Sequence, residues 1–148
     1  MAKTYNQIFV HFVFSVKNRE NLINSSWENR LYQYIRTVVN DRGNNLIIIN
    51  GTANHVHMLV QLNNKESSSV LMQNVKQYSS KFIKNNGLCR NFAWQEGYGA
   101  FSYTKSHTDK VSKYIENQKE HHKKVTYVEE VRRVLANLGY GDVDIEVF

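Results

Sequence analysis

The sequence contains a single cysteine, Cys89, among its 148 residues. One cysteine excludes an intramolecular disulfide, and Cys89 lies in a polar connecting segment without neighbours that would indicate a catalytic thiol. No apolar run approaches the ~18 residues that a transmembrane helix needs, and the first residues do not follow a signal-peptide pattern. We therefore expect a cytoplasmic protein with no membrane partner.

The chain also lacks an internal repeat and a linker that would separate two domains. Its length fits one domain spanning residues 1–148, and a content of 41% hydrophobic and 22% charged residues is typical of globular proteins. The formal net charge is +6, with lysine and arginine spread along the chain. This charge suits a polyanionic partner without identifying one.

Alternating apolar residues predict four β-strands. The first runs from Gln7 to Val16, and the next two cover residues 44–51 and 54–62. The short connection from Gly51 to Ala53 indicates that the second and third strands form an antiparallel hairpin. A fourth, shorter strand is predicted from Tyr98 to Thr104.

Apolar residues at helical spacing predict four helices, the last of which ends near Leu138. Their predicted starts lie near Trp27, Val70, Thr108 and Tyr127. The order β-α-β-β-α-β, followed by further helices, is that of a ferredoxin-like split βαβ fold. We therefore expect an α+β protein with an antiparallel sheet, helices on one face of that sheet and a C-terminal helix.

Two histidines, His55 and His57, are one residue apart in the third predicted strand. Side chains alternate along a strand, so both imidazoles point to the face opposite Val56 and Met58. Two neutral imidazoles that are fixed by one strand can hold a divalent cation. Alternatively, the two histidines are half-exposed polar residues on an open sheet face without a metal. Without further ligands, the sequence of this strand favours that second interpretation.

Tyr114 and Gln118 are four residues apart in the third predicted helix and share one of its faces. A tyrosine at the edge of an apolar stripe is usually a packing residue, and such a glutamine is usually solvated. A phenol can nevertheless attack a phosphodiester when a divalent metal polarises the phosphate. Gln118 could complete the coordination of that metal through its side-chain oxygen. His107 and His121 are expected to be surface residues.

Two motifs resemble those of a known family. The segment NHVHMLV, residues 54–60, resembles the His-hydrophobic-His signature of HUH endonucleases. The segment YIENQ, residues 114–118, resembles the tyrosine helix of the single-tyrosine transposases of small bacterial insertion sequences. The motifs occur in that family's order and spacing, and the resemblance runs from the first strand to about His122. Residues beyond about Lys123 match no catalytic element of the family.

The resemblance implies that Tyr114 is the nucleophile, His55 and His57 are the metal-binding pair, and Gln118 is the third metal ligand. It implies a transposase that cleaves and rejoins single-stranded DNA with hairpin ends through a 5′-phosphotyrosine intermediate, with Mg²⁺ or Mn²⁺ as cofactor. It also implies a homodimer with active sites shared between subunits. A domesticated REP-associated nuclease without mobility has the same chemistry and is an alternative.

A non-catalytic ferredoxin-like module that binds nucleic acid on its sheet is a further alternative. The aromatic strand at residues 8–14 is consistent with it, but the glycine-aromatic motif of such modules is absent. It would also leave the histidines and the pair Tyr114 and Gln118 without a role. A histidine-triad hydrolase would need a third alternating histidine, and Leu59 occupies that position.

Overall fold

The computed structural model describes residues 3–141. Its strands and helices are, in chain order, β1 (Ile8–Ser15), α1 (Glu28–Asp41), β2 (Asn45–Gly51), β3 (His55–Leu62), α2 (Ser68–Asn85), β4 (Gly99–Tyr103), α3 (Thr108–Glu116), α4 (Gln118–His121) and α5 (Tyr127–Asn137). The predicted strand bounds agree with these within one residue at each end. In this described part, no helix has the length and apolar character needed to cross a bilayer.

The four strands form one antiparallel sheet in the order β2-β3-β1-β4. This order is that of the ferredoxin-like split βαβ fold, so the predicted α+β class, the hairpin and the C-terminal helix are confirmed. Gly51 is required where β2 turns towards β3, because a Cβ atom there would lie 2.1 Å from the backbone oxygen of His55. The hairpin thereby places His55 at the first position of β3.

One face of the sheet carries the larger hydrophobic core. Even-numbered side chains of β1 and β3, such as Phe12 and Met58, point to this face, and α1 and α2 cover it. Leu31 of α1 and Leu71 of α2 are fully buried there. Burying a side chain of this size contributes about 1.5–3 kcal/mol relative to leaving it exposed. This face accounts for much of the stabilising burial.

The opposite face is covered by α3 and α5 of the same chain. The packed residues are Phe9 and Leu59 against Val111 and Ile115 of α3, and Val13 against Tyr127, Val131 and Leu135 of α5. The sequence predicted helices on one face and a C-terminal helix, and in the structure α3 joins the C-terminal helix α5 in covering the second face. Phe9 and Val13, at odd-numbered positions of β1, are apolar and buried, so the helices that cover this second face add stability as well.

The third predicted helix is interrupted between α3 and α4. The side chain of Asn50 on β2 donates hydrogen bonds to the carbonyl oxygens of Ile115 and Glu116, at 3.2 and 3.0 Å. These carbonyls belong to the last turn of α3, where intrahelical partners are missing. The chain then continues as α4, which begins at Gln118 and is followed by His122.

Candidate metal and tyrosine site

The two histidines of β3 lie on the sheet face that α3 and α5 cover. His55 is 0% exposed and His57 is 1% exposed. The alternative of half-exposed polar residues on an open sheet face is therefore wrong, because the helices of the same chain close over them. Buried imidazoles need polar partners, and the partners of these two define the site.

Glu130 of α5 lies at the centre of the site. Its Oε1 atom is 3.0 Å from His57 Nε2, 3.0 Å from His122 Nε2 and 3.5 Å from His55 Nε2. One ligand atom from each of these four residues lies within 4.8 Å of the others. Burial alone would raise the pKa of Glu130, but contacts with the imidazoles, first that of His122, outweigh burial and lower it. The carboxylate is therefore ionised.

Two polar side chains orient the ring of His55 through Nδ1, the ring nitrogen that points away from Glu130. Its Nδ1 atom lies 2.8 Å from Asn54 Oδ1 and 2.9 Å from Thr52 Oγ1. Since an amide oxygen can only accept a hydrogen bond, this contact favours a proton on Nδ1. His55 then directs the lone pair of Nε2 towards the centre of the site, as a metal-binding histidine does.

A third histidine, His11 of β1, orients His57 in the same way. The Nε2 atom of His11 is 2.7 Å from His57 Nδ1, and His11 is 3% exposed. Burial, followed by the nearby His57, lowers the pKa of His11 to about 3, so its ring is neutral. A neutral His11 can accept the Nδ1 proton of His57 and leave His57 Nε2 free to bind a cation.

The inward side of His55 faces oxygen acceptors. Gln118 Oε1 is 3.1 Å from His55 Nε2, and Glu130 Oε1 is 3.5 Å from it. Burial lowers the pKa of His55 to about 4, so the ring is neutral and carries one proton. Either neutral tautomer leaves one ring nitrogen facing an oxygen lone pair. A cation between His55 Nε2 and these oxygens removes that repulsion, so the residues fit a divalent metal.

Tyr114 of α3 reaches the same carboxylate. Its hydroxyl group donates a hydrogen bond to Glu130 Oε2, to which Gln118 Nε2 also donates at 3.0 Å. The ring centroid of Tyr114 is 5.7 Å from that of His57. Burial, followed by the charge of Glu130, raises the pKa of Tyr114, so the phenol is protonated. The structure thus brings together all four site residues that the sequence predicted, His55, His57, Tyr114 and Gln118.

A cavity of about 390 Å³ leads to Tyr114 between β4, α3 and α5. Lys110 and Arg133 line it and are exposed. His107 also lines it and is a surface residue, as expected. The same expectation is wrong for His121, whose side chain is 26% exposed and whose Nε2 atom is 3.4 Å from Glu130 Oε2. The cavity gives a ligand access to the phenol.

Sequence reasoning missed three residues of the site, His11, His122 and Glu130. Each had a signal. Glu130 falls on the buried stripe formed by Tyr127 and Val131 of α5, where a carboxylate needs a partner. His11 occupies an inward odd-numbered position of β1. His122 follows Val111 and Ile115 at helical spacing, and in the structure its Nε2 atom lies 3.0 Å from Glu130 Oε1.

Comparisons with known proteins agree with this architecture. A structure from Deinococcus radiodurans R1 with a provisional transposase assignment has a TM-score of 0.63 at 16% identity and covers 80% of this chain and 98% of its own. A REP-associated tyrosine transposase bound to a REP hairpin has a TM-score of 0.62 at 18% identity and covers 91% of this chain and 86% of its own. No curated protein gives a significant match. The family model for IS200-like transposases matches residues 4–118. The chain therefore belongs to the IS200-like transposase family.

Proposed function

We propose that this protein cleaves and rejoins single-stranded DNA with Tyr114 as the nucleophile. The observation that carries the proposal is that one carboxylate, Glu130, contacts both the phenol and the histidine pair. Tyr114 donates to Glu130 Oε2, while Glu130 Oε1 lies 3.0 Å from His57 Nε2. The nucleophile and the candidate metal ligands therefore lie side by side. Membership of a transposase family supports a reaction on DNA.

The reaction exchanges one phosphoester bond for another. Tyr114 Oη forms a bond to the phosphorus atom while the bond from phosphorus to the 3′ oxygen breaks. The phenol loses its proton and the departing 3′ oxygen gains one, so the products are a 5′-phosphotyrosine and a 3′-hydroxyl. Because the covalent link retains the energy of the phosphodiester, the 3′-hydroxyl of another DNA end can reverse the step without ATP.

A divalent cation, Mg²⁺ or Mn²⁺, is the proposed cofactor, with His55, His57 and Gln118 as ligands. When bound, it supplies Lewis-acid polarisation of the scissile phosphate. The protein contributes orientation: β3 holds the two imidazoles on one face, and Gln118 donates to the carboxylate that also accepts the hydrogen bond of Tyr114. The phenol is thereby held next to the imidazoles.

The proposed partner is single-stranded DNA with hairpin ends. The REP-associated neighbour is bound to a REP hairpin, and we extend that binding mode to this chain as a proposal. The net charge of +6 favours a polyanion. Lys110 and Arg133, at the cavity that reaches Tyr114, are placed to contact phosphates near the nucleophile.

The test is incubation of the protein with labelled single-stranded DNA that carries the ends of its element, in Mg²⁺ or Mn²⁺, followed by a denaturing gel. The wild-type protein is expected to form a covalent adduct that EDTA prevents. Tyr114→Phe removes only the reacting oxygen, so it should keep DNA binding and form no adduct. Normal cleavage by Tyr114→Phe would disprove the assignment.

The homodimer with shared active sites stays a prediction with its own test. In one chain, Tyr114 already contacts the Glu130 that lies beside His57, so the geometry does not require a second chain to complete the site. Tyr114→Phe subunits are mixed with His57→Ala subunits. Recovery of cleavage in the mixture would support shared sites, because one intact site forms per mixed dimer. No recovery would show that each site belongs to one chain.

A further inference from the structure

Helix α5 lies outside the part of the chain that the family model matches, which ends at residue 118. The helix begins after Thr126, whose side chain accepts a hydrogen bond from the backbone N–H of Glu129. Its buried residues Tyr127 and Val131 pack in the same cluster as Val13 of β1. Because of this packing, the side chain of Glu130 points from α5 towards the histidines and is only 2% exposed.

The two carboxylate oxygens of Glu130 have different neighbours. Oε1 lies 3.0 to 3.5 Å from the Nε2 atoms of His55, His57 and His122. Oε2 accepts hydrogen bonds from the Tyr114 hydroxyl and from Gln118 Nε2. One side of the carboxylate therefore faces imidazoles, and the other side holds the proposed nucleophile.

The spacing of these atoms suits one metal ion. Ligand atoms of a transition metal lie about 2.0–2.2 Å from it, so two such atoms are at most roughly 4.4 Å apart. The ligand atoms of His55, His57, His122 and Glu130 lie within 4.8 Å of one another, which small side-chain movements would adjust. An independent observation agrees: the Nδ1 atoms of His55 and His57 already have partners, at 2.8 Å from Asn54 Oδ1 and 2.7 Å from His11 Nε2.

We infer that Glu130 is a metal ligand through Oε1, beside His55, His57 and His122, and that its Oε2 atom positions Tyr114. The positioning part rests on the proposed function, and the metal-binding part does not. A donor set of three imidazoles and a carboxylate suits Mn²⁺, Co²⁺ or Zn²⁺ better than Mg²⁺, which prefers oxygen ligands in octahedral geometry. The C-terminal helix thus adds to the site a ligand that the family-matched part of the chain does not contain.

The first experiment is calorimetric titration of the metal-free protein with Mn²⁺ and, separately, with Mg²⁺. Glu130→Gln is expected to weaken Mn²⁺ binding at least about tenfold, since it removes a charged ligand. Glu129→Gln is the matched control, because Glu129 is exposed on the same helix and bonds only locally to Thr126 among the described residues. The wild-type protein should bind Mn²⁺ more tightly than Mg²⁺. Equal Mn²⁺ affinity in Glu130→Gln and the wild-type protein would overturn the inference.

A second measurement does not depend on whether the Glu130→Gln variant folds. Wild-type crystals soaked in Mn²⁺ should show an anomalous peak bonded to Glu130 Oε1 and to the imidazoles. Coordination by Gln118 Oε1 together with Glu130 Oε1 would satisfy both proposals, whereas a peak beside the imidazoles that is not bonded to Glu130 would overturn the inference.

The adduct gel separates this result from the proposed function. A wild-type protein that forms no DNA adduct, yet binds Mn²⁺ through Glu130, would refute the DNA chemistry and support the metal site. A protein that forms the adduct but binds Mn²⁺ without Glu130 would refute the metal-ligand role and leave the DNA chemistry standing.

Discussion

The two faces of the sheet are both closed by helices, but their chemistry differs. Under α1 and α2, side chains such as Phe12 and Met58 form an apolar core. Under α3 and α5, His55, His57 and Glu130 are equally buried but polar. A buried polar cluster costs desolvation energy that an apolar core of the same size does not. The first face therefore supports the fold, and the second concentrates polar groups at some expense of stability.

The largest expected effect comes from removing a metal ligand on the polar face. His57→Ala should abolish metal-dependent cleavage, because one of the two imidazoles fixed by β3 is lost. Hairpin binding should persist, since it depends on phosphate and base contacts elsewhere. Cleavage on a gel and hairpin affinity by fluorescence anisotropy check both statements. Equal cleavage in EDTA and in Mg²⁺ would contradict the metal requirement.

A substitution on the apolar face should have the opposite profile. Met58 follows His57 in the chain, but its side chain lies on the other side of the sheet. Met58→Ala leaves a cavity there and should lower the free energy of unfolding by about 2–5 kcal/mol. Mn²⁺ affinity of the folded protein should stay within about twofold of wild type, because no ligand atom is removed. Urea unfolding and calorimetry measure the two quantities. A large loss of Mn²⁺ affinity would show that the two faces are not independent.

A smaller effect is expected for His11, which contacts His57 and not the proposed metal. His11→Phe removes the acceptor of the His57 Nδ1 proton and should weaken Mn²⁺ binding about 10- to 100-fold, the usual effect of losing such a partner. His11→Gln offers an amide oxygen as acceptor and should recover part of the affinity. A packing role alone predicts no recovery, because Gln fills the site no better than Phe.

The smallest effect is a dependence of stability on pH in EDTA. Burial lowers the pKa of His11 to about 3 and of His55 to about 4, below the ordinary value of 6.5. Between pH 6.5 and pH 4 the unfolded chain therefore binds more protons than the folded one, and the free energy of unfolding falls as the pH falls. His11→Phe should show a shallower decrease between pH 7 and pH 5. An unchanged slope would mean that His11 does not stay neutral in the fold.

Local patterns in the sequence predicted the parts of the site that a single element carries. Alternation along β3 placed His55 and His57 on one face, and helical spacing paired Tyr114 with Gln118. The contact of His57 with His11 depends on the pairing of β1 with β3, and no local pattern encodes it.

The positions of α3 and α5 over the polar face also depend on tertiary packing. Glu130 enters the site only because α5 folds back over Val13, a contact between residues far apart in the chain. At the end of α3, Asn50 of β2 donates hydrogen bonds to the last carbonyls, a contact between two elements that lie far apart in the chain. Periodicity reports which face of a helix is apolar, but not which strand that face meets.

We propose that the polar face is the active site and that Tyr114 is its nucleophile. The most direct measurement is tryptic digestion and mass spectrometry of the protein after reaction with single-stranded DNA and Mn²⁺. Cleavage after Lys113 and Lys119 releases residues 114–119. We expect this peptide to carry a nucleotide through its tyrosine. A DNA adduct on any other residue, or an adduct that persists in Tyr114→Phe, would contradict it.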